Sequence, residues 1–201
     1  MQPTAECFFD VGSPASYLAW TQLPALCARA GAALVWRPML LGGVYQATGN
    51  ASPAAVPVKG RHVSHDLARF ARRYGVPLSM NPHFPVNTLF LMRAATGVQL
   101  REPARFQPFL TAVFRALWVD ALNLNDATVT AQVLAAAGFD PAATVALAGD
   151  AEVKAALRAT TEEAVRRGVF GAPSTFVGEE MFFGQDRLDF VAEALATATA
   201  A

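Results

Sequence analysis

Cysteine is scarce in this sequence: it occurs only at Cys7 and Cys27, and no C-x-x-C pair is present. Two cysteines are too few for the disulfide framework of a small secreted protein, and without C-x-x-C the chain lacks a motif for dithiol exchange. Cys7 falls in the first predicted strand and Cys27 on the apolar side of the first predicted helix. We therefore interpret both as small buried hydrophobic residues.

An excess of one charge is missing too, because 16 Lys and Arg residues balance 16 Asp and Glu residues. Global charge thus gives no indication of a nucleic-acid or anionic-membrane partner. No uncharged apolar run approaches the roughly 20 residues of a membrane span, and residues 1–6 lack the basic and apolar segments of a signal peptide. We expect a cytoplasmic protein that binds neither nucleic acid nor a membrane.

Metal and nucleotide motifs are also missing. His62, His65 and His83 are not accompanied by a Cys or carboxylate cluster with metal-ligand spacing, so no metal site is predicted. Neither G-x-G-x-x-G after a strand nor G-x-x-x-x-G-K-[ST] occurs, so no nucleotide cofactor is expected. What is present is an ordered, apolar chain, 53% hydrophobic and 201 residues long, which is enough to bury a sizeable core.

Strand patterns occur only near the two ends of the chain. The predicted elements there are, in chain order, a strand (5–10), a helix (14–30), a strand (33–36), two strands joined by a hairpin turn (174–177 and 181–183) and a last helix (187–197). The β-α-β unit at the start implies parallel strands with a right-handed crossover. The predicted fold class is α/β, with a small sheet flanked by helices.

The middle of the chain contains amphipathic helical patterns and no convincing strand. Helices are predicted over 61–74, 88–96, 104–122, 127–137, 141–148 and 151–167, with Gly97 among the helix breaks. Residues 38–57 have a loop-like composition, and a loop of this length is expected to be functional or to contain some helix. We predict a sheet domain over 1–60 and 168–201 and an all-helical insertion domain over 61–167.

Ser13 stands at the predicted junction between the first strand and the first helix. Serine is a preferred helix N-cap and Pro14 a preferred first helical residue, so a plain capping role is one interpretation. The same geometry joins a hydroxyl to the free N–H groups and dipole of a helix N-terminus, which would stabilise a thiolate or another anion. A hydrolytic serine is disfavoured, because Val11 and Ala15 replace the glycines of G-x-S-x-G.

Two later segments are expected to meet Ser13 and to bind a thiol with it. Pro173 enters a strand, either as an ordinary strand-entry proline or after a cis bond that turns the N–H and C=O of Ala172 toward an extended ligand backbone. Gly184-Gln185-Asp186 precedes the last helix, where Asp186 either caps the helix or binds an ammonium group.

Three stretches taken together resemble one known family: Phe-x-Asp-x-x-Ser-Pro-x-Ser-Tyr at 8–17, Gly-Val-Phe-Gly-Ala-Pro at 168–173 and Met-Phe-Phe-Gly-Gln-Asp-Arg-Leu at 181–188. They resemble the bacterial 2-hydroxychromene-2-carboxylate isomerases, relatives of the kappa-class glutathione transferases. Both belong to the thioredoxin-like group with a helical insertion that also holds the DsbA-type disulfide oxidoreductases. The resemblance implies a thioredoxin-like fold of the DsbA/kappa type, glutathione as cofactor and a homodimer.

The resemblance also implies roles for individual residues. Ser13 would be the catalytic residue, with its hydroxyl facing the glutathione sulfur. The backbone of Ala172 would pair with the cysteinyl part of glutathione, and residues 183–186 would hold its γ-glutamyl end. The full implied glutathione set is Ser13, Ala172, Pro173, Phe183, Gly184, Gln185 and Asp186. The implied substrate-side residues are Tyr45, Asn50 and Asn87.

The implied activity is the glutathione-dependent interconversion of 2-hydroxychromene-2-carboxylate and trans-o-hydroxybenzylidenepyruvate, a step of aromatic hydrocarbon catabolism with a small aromatic substrate. Because residues 13–16 read Ser-Pro-Ala-Ser where a DsbA-type protein has C-x-x-C, the protein would have to use an external thiol. The lysine of the naphthalene-pathway isomerases is missing near Tyr45. Two alternatives remain: a kappa-class-like transferase or peroxidase acting on other electrophiles, and a non-catalytic thioredoxin-like binding module.

Overall fold

The sheet has the mixed topology expected of an α/β fold. The computed structural model describes residues 2–200, so Met1 and Ala201, the outermost residues of the predicted sheet domain, lie outside the described residues. Within this range the strands are β1 (Thr4–Phe9), β2 (Ala33–Pro38), β3 (Ser174–Val177) and β4 (Glu180–Phe183). They form one sheet in the order β2-β1-β3-β4. Strands β1 and β2 are parallel, as predicted, and the other two pairings are antiparallel.

Helices make up most of the rest of the described chain. They are α1 (Pro14–Arg29), α2 (Leu41–Thr48), α3 (Pro57–Tyr74), α4 (Leu89–Arg101), α5 (Phe106–Trp118), α6 (Ala127–Ala136), α7 (Pro141–Gly149), α8 (Ala151–Arg166) and α9 (Leu188–Ala200). Helices α2 to α8 all lie between β2 and β3 in the chain, so the helical part interrupts the sheet part. Over residues 2–200, no single helix is long and apolar enough to cross a membrane, and α6 and α7 pass that test only together, as a pair bent by 113°.

Several helix boundaries differ from the sequence prediction: α3 begins at Pro57 instead of residue 61, and α5 spans Phe106–Trp118 instead of 104–122. The segment 38–57, expected to be functional or to contain some helix, contains α2, which ends at Gly49 in the left-handed conformation (φ 70°). Gly97 was expected to break a helix, and this was wrong: it lies inside α4. A Cβ atom there would lie 2.5 Å from Leu147 of α7, so the glycine lets the two helices approach closely.

Strand β1 is buried on both faces, which fixes it at the centre of the molecule. On one face Phe9 packs edge-on against Trp36 and contacts Phe114 of α5, with ring centroids 5.5 and 6.2 Å apart. On the other face Phe8 packs against Phe176 of β3. The larger core therefore combines residues of both predicted domains, and the division at residues 61 and 167 stays a prediction.

Candidate functional site

Ser13 and Ala172 meet at the end of the sheet, although 159 positions separate them in the chain. Ser13 is the N-cap of α1, and its Oγ accepts a hydrogen bond from the Ser16 amide at 3.1 Å. The same Oγ donates to the carbonyl oxygen of Ala172 at 2.9 Å, and Ser13 is only 5% exposed. The hydroxyl therefore does more than cap a helix, because it also joins the start of α1 to the segment before β3.

The segment that carries Ala172 is held by the sheet. The Ala172–Pro173 peptide is cis, one of the two conformations expected from the sequence, and Ser174 pairs with Phe8 of β1. The amide of Gly184 donates to the carbonyl oxygen of Pro173 at 2.9 Å. As a result, Ser13, the cis-proline segment and the start of the Gly184-Gln185-Asp186 segment lie side by side.

Asp10 is a site residue that the sequence analysis did not identify, although it stands in the Phe-x-Asp-x-x-Ser motif. It is 1% exposed, and its carboxylate accepts from the Gly12 amide (2.8 Å), the Leu41 amide (2.9 Å) and the Thr88 hydroxyl (3.0 Å). Burial raises the pKa of the Asp10 carboxyl, and these three hydrogen bonds offset part of the rise. Asp10 thus connects the β1–α1 loop to the starts of α2 and α4.

The helical insertion holds the loop between Asp10 and Ser13 from the other side. Trp118 of α5 donates its indole N–H to the carbonyl oxygen of Val11 at 2.8 Å, and the Val11 amide lies 3.4 Å from the Met92 sulfur of α4. A Cβ atom on Gly12 would lie 2.7 Å from the methyl group of Thr88, so only glycine fits there without a shift. The loop is therefore rigidly positioned.

The start of α1 offers two donors to an anion. Pro14 has no N–H, and the Ser16 amide already donates to Ser13, so the half-buried Ala15 amide is the first-turn N–H with no acceptor in residues 2–200. The Ser13 hydroxyl becomes the second donor when it turns from the Ala172 carbonyl oxygen toward the anion, and the helix dipole adds positive potential at the same place. The arrangement suits a thiolate or another anion at this helix end.

The chain's own thiols do not supply that thiolate. Cys7 on β1 and Cys27 on α1 are both buried. Burial raises the pKa of Cys7 to about 12 and that of Cys27 to about 11, so both stay protonated at neutral pH. Any thiol chemistry at Ser13 must come from a ligand.

The 183–186 segment forms the far side of the site. The ring of Phe183 is 41% exposed and packs against Phe170, with centroids 4.6 Å apart. Gly184 has φ 99°, and the Asp186 carboxylate occupies the space that a Cβ atom on Gly184 would need. Asp186 pairs with Arg187 and accepts no backbone hydrogen bond among the described residues, so the capping interpretation of Asp186 is not supported. Gln185 is buried, and its carbonyl oxygen accepts from the Tyr74 hydroxyl.

The three implied substrate-side residues lie in different surroundings. Asn50 donates to the carbonyl oxygen of Phe170 at 2.8 Å, two residues before Ala172. Tyr45 is half-buried on α2, and burial together with the negative charge of Asp10 raises the pKa of its hydroxyl. The Asn87 side chain accepts from the Leu89 amide at 3.1 Å and lines a cavity of about 530 Å³ that α4, α6 and α7 also line. Asn50 is thus joined to the cis-proline segment, whereas Asn87 faces the helical insertion.

Comparison with known proteins gives a consistent result over the whole chain. A family model for the DsbA-like thioredoxin domain matches residues 4–196. A 2-hydroxychromene-2-carboxylate isomerase of Sphingobium xenophagum is 31% identical over 95% of this chain and 97% of its own. Glutathione S-transferase kappa 1 of Rattus norvegicus is 32% identical over 93% and 88%. A solved 2-hydroxychromene-2-carboxylate isomerase structure superposes with TM-score 0.85 at 27% identity, covering 98% of this chain and 96% of that one.

Proposed function

This chain belongs to the DsbA-like thioredoxin family, and within it we propose a glutathione-dependent isomerase that interconverts 2-hydroxychromene-2-carboxylate and trans-o-hydroxybenzylidenepyruvate. Its similarity to named isomerases and glutathione transferases supports an enzyme of isomerase or transferase type. The substrate, the use of glutathione, a homodimer and a cytoplasmic location are the further parts of this proposal.

One observation carries the proposal: the hydroxyl of Ser13 lies 2.9 Å from the carbonyl oxygen of Ala172, at a helix N-terminus. This is a thiol-binding arrangement in which the protein contributes a hydroxyl instead of a cysteine. Residues 13–16 contain no thiol, so the disulfide exchange of DsbA-type relatives is excluded at this position. Because the protein has no thiol of its own at this position, the proposal requires a small external thiol that binds there as a cofactor.

The residues present fit glutathione in three respects. The C=O of Ala172 accepts one hydrogen bond from Ser13, and its second lone pair can accept from the amide of an extended peptide. The exposed rings of Phe170 and Phe183 form an apolar wall beside it. The Asp186 carboxylate, 68% of whose side chain is covered, has Arg187 as its only ionic partner within residues 2–200 and suits an ammonium group.

In the proposed mechanism the protein binds and orients glutathione and the substrate, and the thiol of glutathione is the reacting group. When bound, glutathione supplies a thiolate that adds to an electron-poor carbon–carbon double bond and leaves again after the resulting single bond has rotated. Ser13 donates a hydrogen bond that favours the ionised sulfur, and the Ala15 amide with the α1 dipole acts in the same direction. Asp10 keeps the loop that carries Ser13 in place through Gly12 and Leu41.

A second candidate function is a kappa-class-like glutathione transferase. It is favoured by the 32% identity to glutathione S-transferase kappa 1, which is as high as the identity to the isomerase relative. The two functions differ in what happens to the thiol, because an isomerase releases it and a transferase retains it in the product.

The experiment that separates them follows the ultraviolet absorbance of purified protein mixed with 2-hydroxychromene-2-carboxylate, with and without glutathione. An isomerase gives a glutathione-dependent shift to the open-chain trans product with no loss of free thiol. Loss of thiol identifies the transferase. If the absorbance of 2-hydroxychromene-2-carboxylate does not change whether glutathione is present or absent, the isomerase proposal is overturned.

A further inference from the structure

A second cavity lies on the far side of α2 from Tyr45. It has a volume of about 730 Å³ and opens between α2, α4 and α8. Gly43, Gln46 and Ala47 line it from one face of α2, and with 3.6 residues per turn Tyr45 lies on the opposite face. Cavities of roughly 300–1,000 Å³ hold small organic molecules. This one includes none of the residues that surround Ser13.

The interior of the cavity is apolar. Leu157 is buried, and Leu40, Leu89 and Val165 are half-buried and complete its lining between the helices. Such a surface favours the hydrocarbon or aromatic body of a ligand over a bare inorganic ion. A metal ion or a free phosphate therefore suits this cavity less well than an organic molecule.

Positive charge dominates the polar part of the lining. Arg93 comes from α4, and Lys154, Arg158 and Arg166 come from one face of α8, whereas Glu162 is the one carboxylate of the lining. The whole chain is electrically neutral by count. The cavity therefore concentrates positive charge locally, which raises the local concentration of anions.

None of these four cations forms a salt bridge within residues 2–200, although the charge of Lys154 contributes to lowering the pKa of Asp150. The ion pairs of the described chain involve other arginines, such as Arg37 and Arg167, which share Glu6 and Glu163. Arg93 is half-buried and its guanidinium makes no hydrogen bond in the described structure, although it carries five donors. An anion beside Arg93 would satisfy donors that the protein leaves unpaired.

We propose that this cavity is a second binding site, for a small organic acid whose carboxylate is carried on an apolar body. Arg93 and Lys154 receive the carboxylate, since both are cations without a salt bridge within residues 2–200, and both line this cavity and the neighbouring 530 Å³ cavity. Leu89 and Leu157 contact the apolar body. The site does not depend on the proposed isomerase function, because it shares no lining residue with the glutathione set.

The test uses 2-naphthoate, an aromatic acid without the chromene double bond, and its neutral analogue 2-naphthamide. Binding is measured by calorimetry on the full-length protein with glutathione present, first for the unaltered chain. Arg93→Gln and Arg158→Gln remove one charge each from the cavity. Arg29→Gln removes an exposed charge at the end of α1, outside the cavity, and is the matched control. Ser13→Ala reports on the glutathione site.

The expected result is saturable binding of 2-naphthoate that weakens roughly tenfold or more in Arg93→Gln, as expected for the loss of a charge-assisted hydrogen bond. Arg158→Gln weakens it less, and Arg29→Gln and Ser13→Ala leave it unchanged. Equal binding of the neutral amide overturns the proposal, and so does undiminished binding by Arg93→Gln, which would locate the ligand elsewhere. If glutathione fails to bind but the naphthoate results hold, only the proposed function is lost.

Discussion

The Ser13 hydroxyl has a single O–H, and in this structure that O–H donates a hydrogen bond to the carbonyl oxygen of Ala172, 2.9 Å away. The same hydroxyl must therefore turn away from Ala172 before it can donate to a bound sulfur. The peptide amide of an extended ligand can then donate to the Ala172 carbonyl oxygen in its place. If glutathione binds as proposed, pairing of its backbone with Ala172 would accompany the hydrogen bond from Ser13 to the sulfur.

Ser13→Ala should raise the pKa of the bound glutathione thiol. The variant removes the hydroxyl that favours the thiolate, and a loss of one pKa unit corresponds to about 1.4 kcal/mol. It also removes an N-cap, which typically costs about 1 kcal/mol of stability. Thiolate absorbance near 240 nm, titrated against pH with the variant saturated by glutathione, measures the first effect separately from the second.

Ser16→Ala is the matched control for that titration. Ser16 is also buried at the start of α1, but its Oγ has no hydrogen-bond partner within residues 2–200. Removing an unpaired buried hydroxyl should leave the thiol pKa unchanged and the free energy of unfolding equal or higher. A thiolate titration that is the same in Ser13→Ala as in the unaltered protein would refute the role given to Ser13.

Gly171→Ala should disturb the aromatic wall of the proposed glutathione site. A Cβ atom at Gly171 would lie 2.6 Å from the ring of Phe183, so the ring must move. Overpacking in a closed core costs about 1–3 kcal/mol, and because Phe183 is 41% exposed and its ring can turn toward solvent, the cost here should be near the lower end of that range. Denaturant unfolding should show that loss, and calorimetry should show weaker glutathione binding.

Gly42→Ala provides the comparison for Gly171→Ala. Nothing lies within 4 Å of a Cβ atom at Gly42, which stands in α2. Alanine should therefore stabilise the helix by about 0.5–1 kcal/mol. If both glycine variants have the same stability and the same affinity for glutathione, Phe183 is not a constrained part of the site.

The sequence predicts the strands well because their signals are local. Apolar runs bounded by glycine and proline locate β1 and β3 to within a residue, and the hairpin glycine at position 178 locates β4. Gly97 was misjudged because its role depends on Leu147 of another helix, a contact that no local pattern contains. Tertiary packing overrode helix propensity at this position.

The candidate site was predictable only where adjacent residues encode a residue's role. The position of Ser13 could be found because a helix cap and a strand-to-helix junction are recognisable from neighbouring residues. Asp10 stands in the same motif, but its role could not be found, because it depends on hydrogen bonds to residues up to 78 positions away. The cavity lined by Arg93 and Arg158 has the same origin, since only the fold brings α4 and α8 together.

Tyr74→Phe should weaken glutathione binding without altering the residues proposed to contact it. The Tyr74 hydroxyl on α3 donates to the carbonyl oxygen of Gln185, within the segment proposed to hold the γ-glutamyl end. Burial, with the negative charges of Asp189 and Asp186, raises the pKa of this hydroxyl to about 12, so it remains a donor at neutral pH. Losing the bond should cost about 1 kcal/mol of stability and raise the Kd for glutathione.

The control for Tyr74→Phe uses a shorter ligand. Tyr74 acts through the 183–186 segment, so γ-glutamylcysteine should lose affinity in parallel with glutathione, whereas cysteinylglycine, which has no γ-glutamyl group, should not. Equal weakening of all three ligands would mean that the substitution acts by general destabilisation and not by positioning Gln185.

Asp10→Asn should change the pH dependence of stability in a defined direction. Burial raises the pKa of Asp10 in the folded state above the ordinary value of 3.8, so the folded protein binds a proton more tightly than the unfolded chain. The contribution of Asp10 to stability therefore falls as the pH rises from about 3.8 through the folded pKa. The difference in unfolding free energy between the unaltered protein and Asp10→Asn should decrease over that window.

Asp150→Asn should give the opposite slope. The amides of Val153 and Glu152 hold the pKa of Asp150 below 3.8, so the stability that Asp150 contributes is lost as the pH falls. Urea unfolding of all three proteins between about pH 3 and pH 7 measures both slopes, and parallel slopes for the two variants would contradict the environment assigned to Asp10.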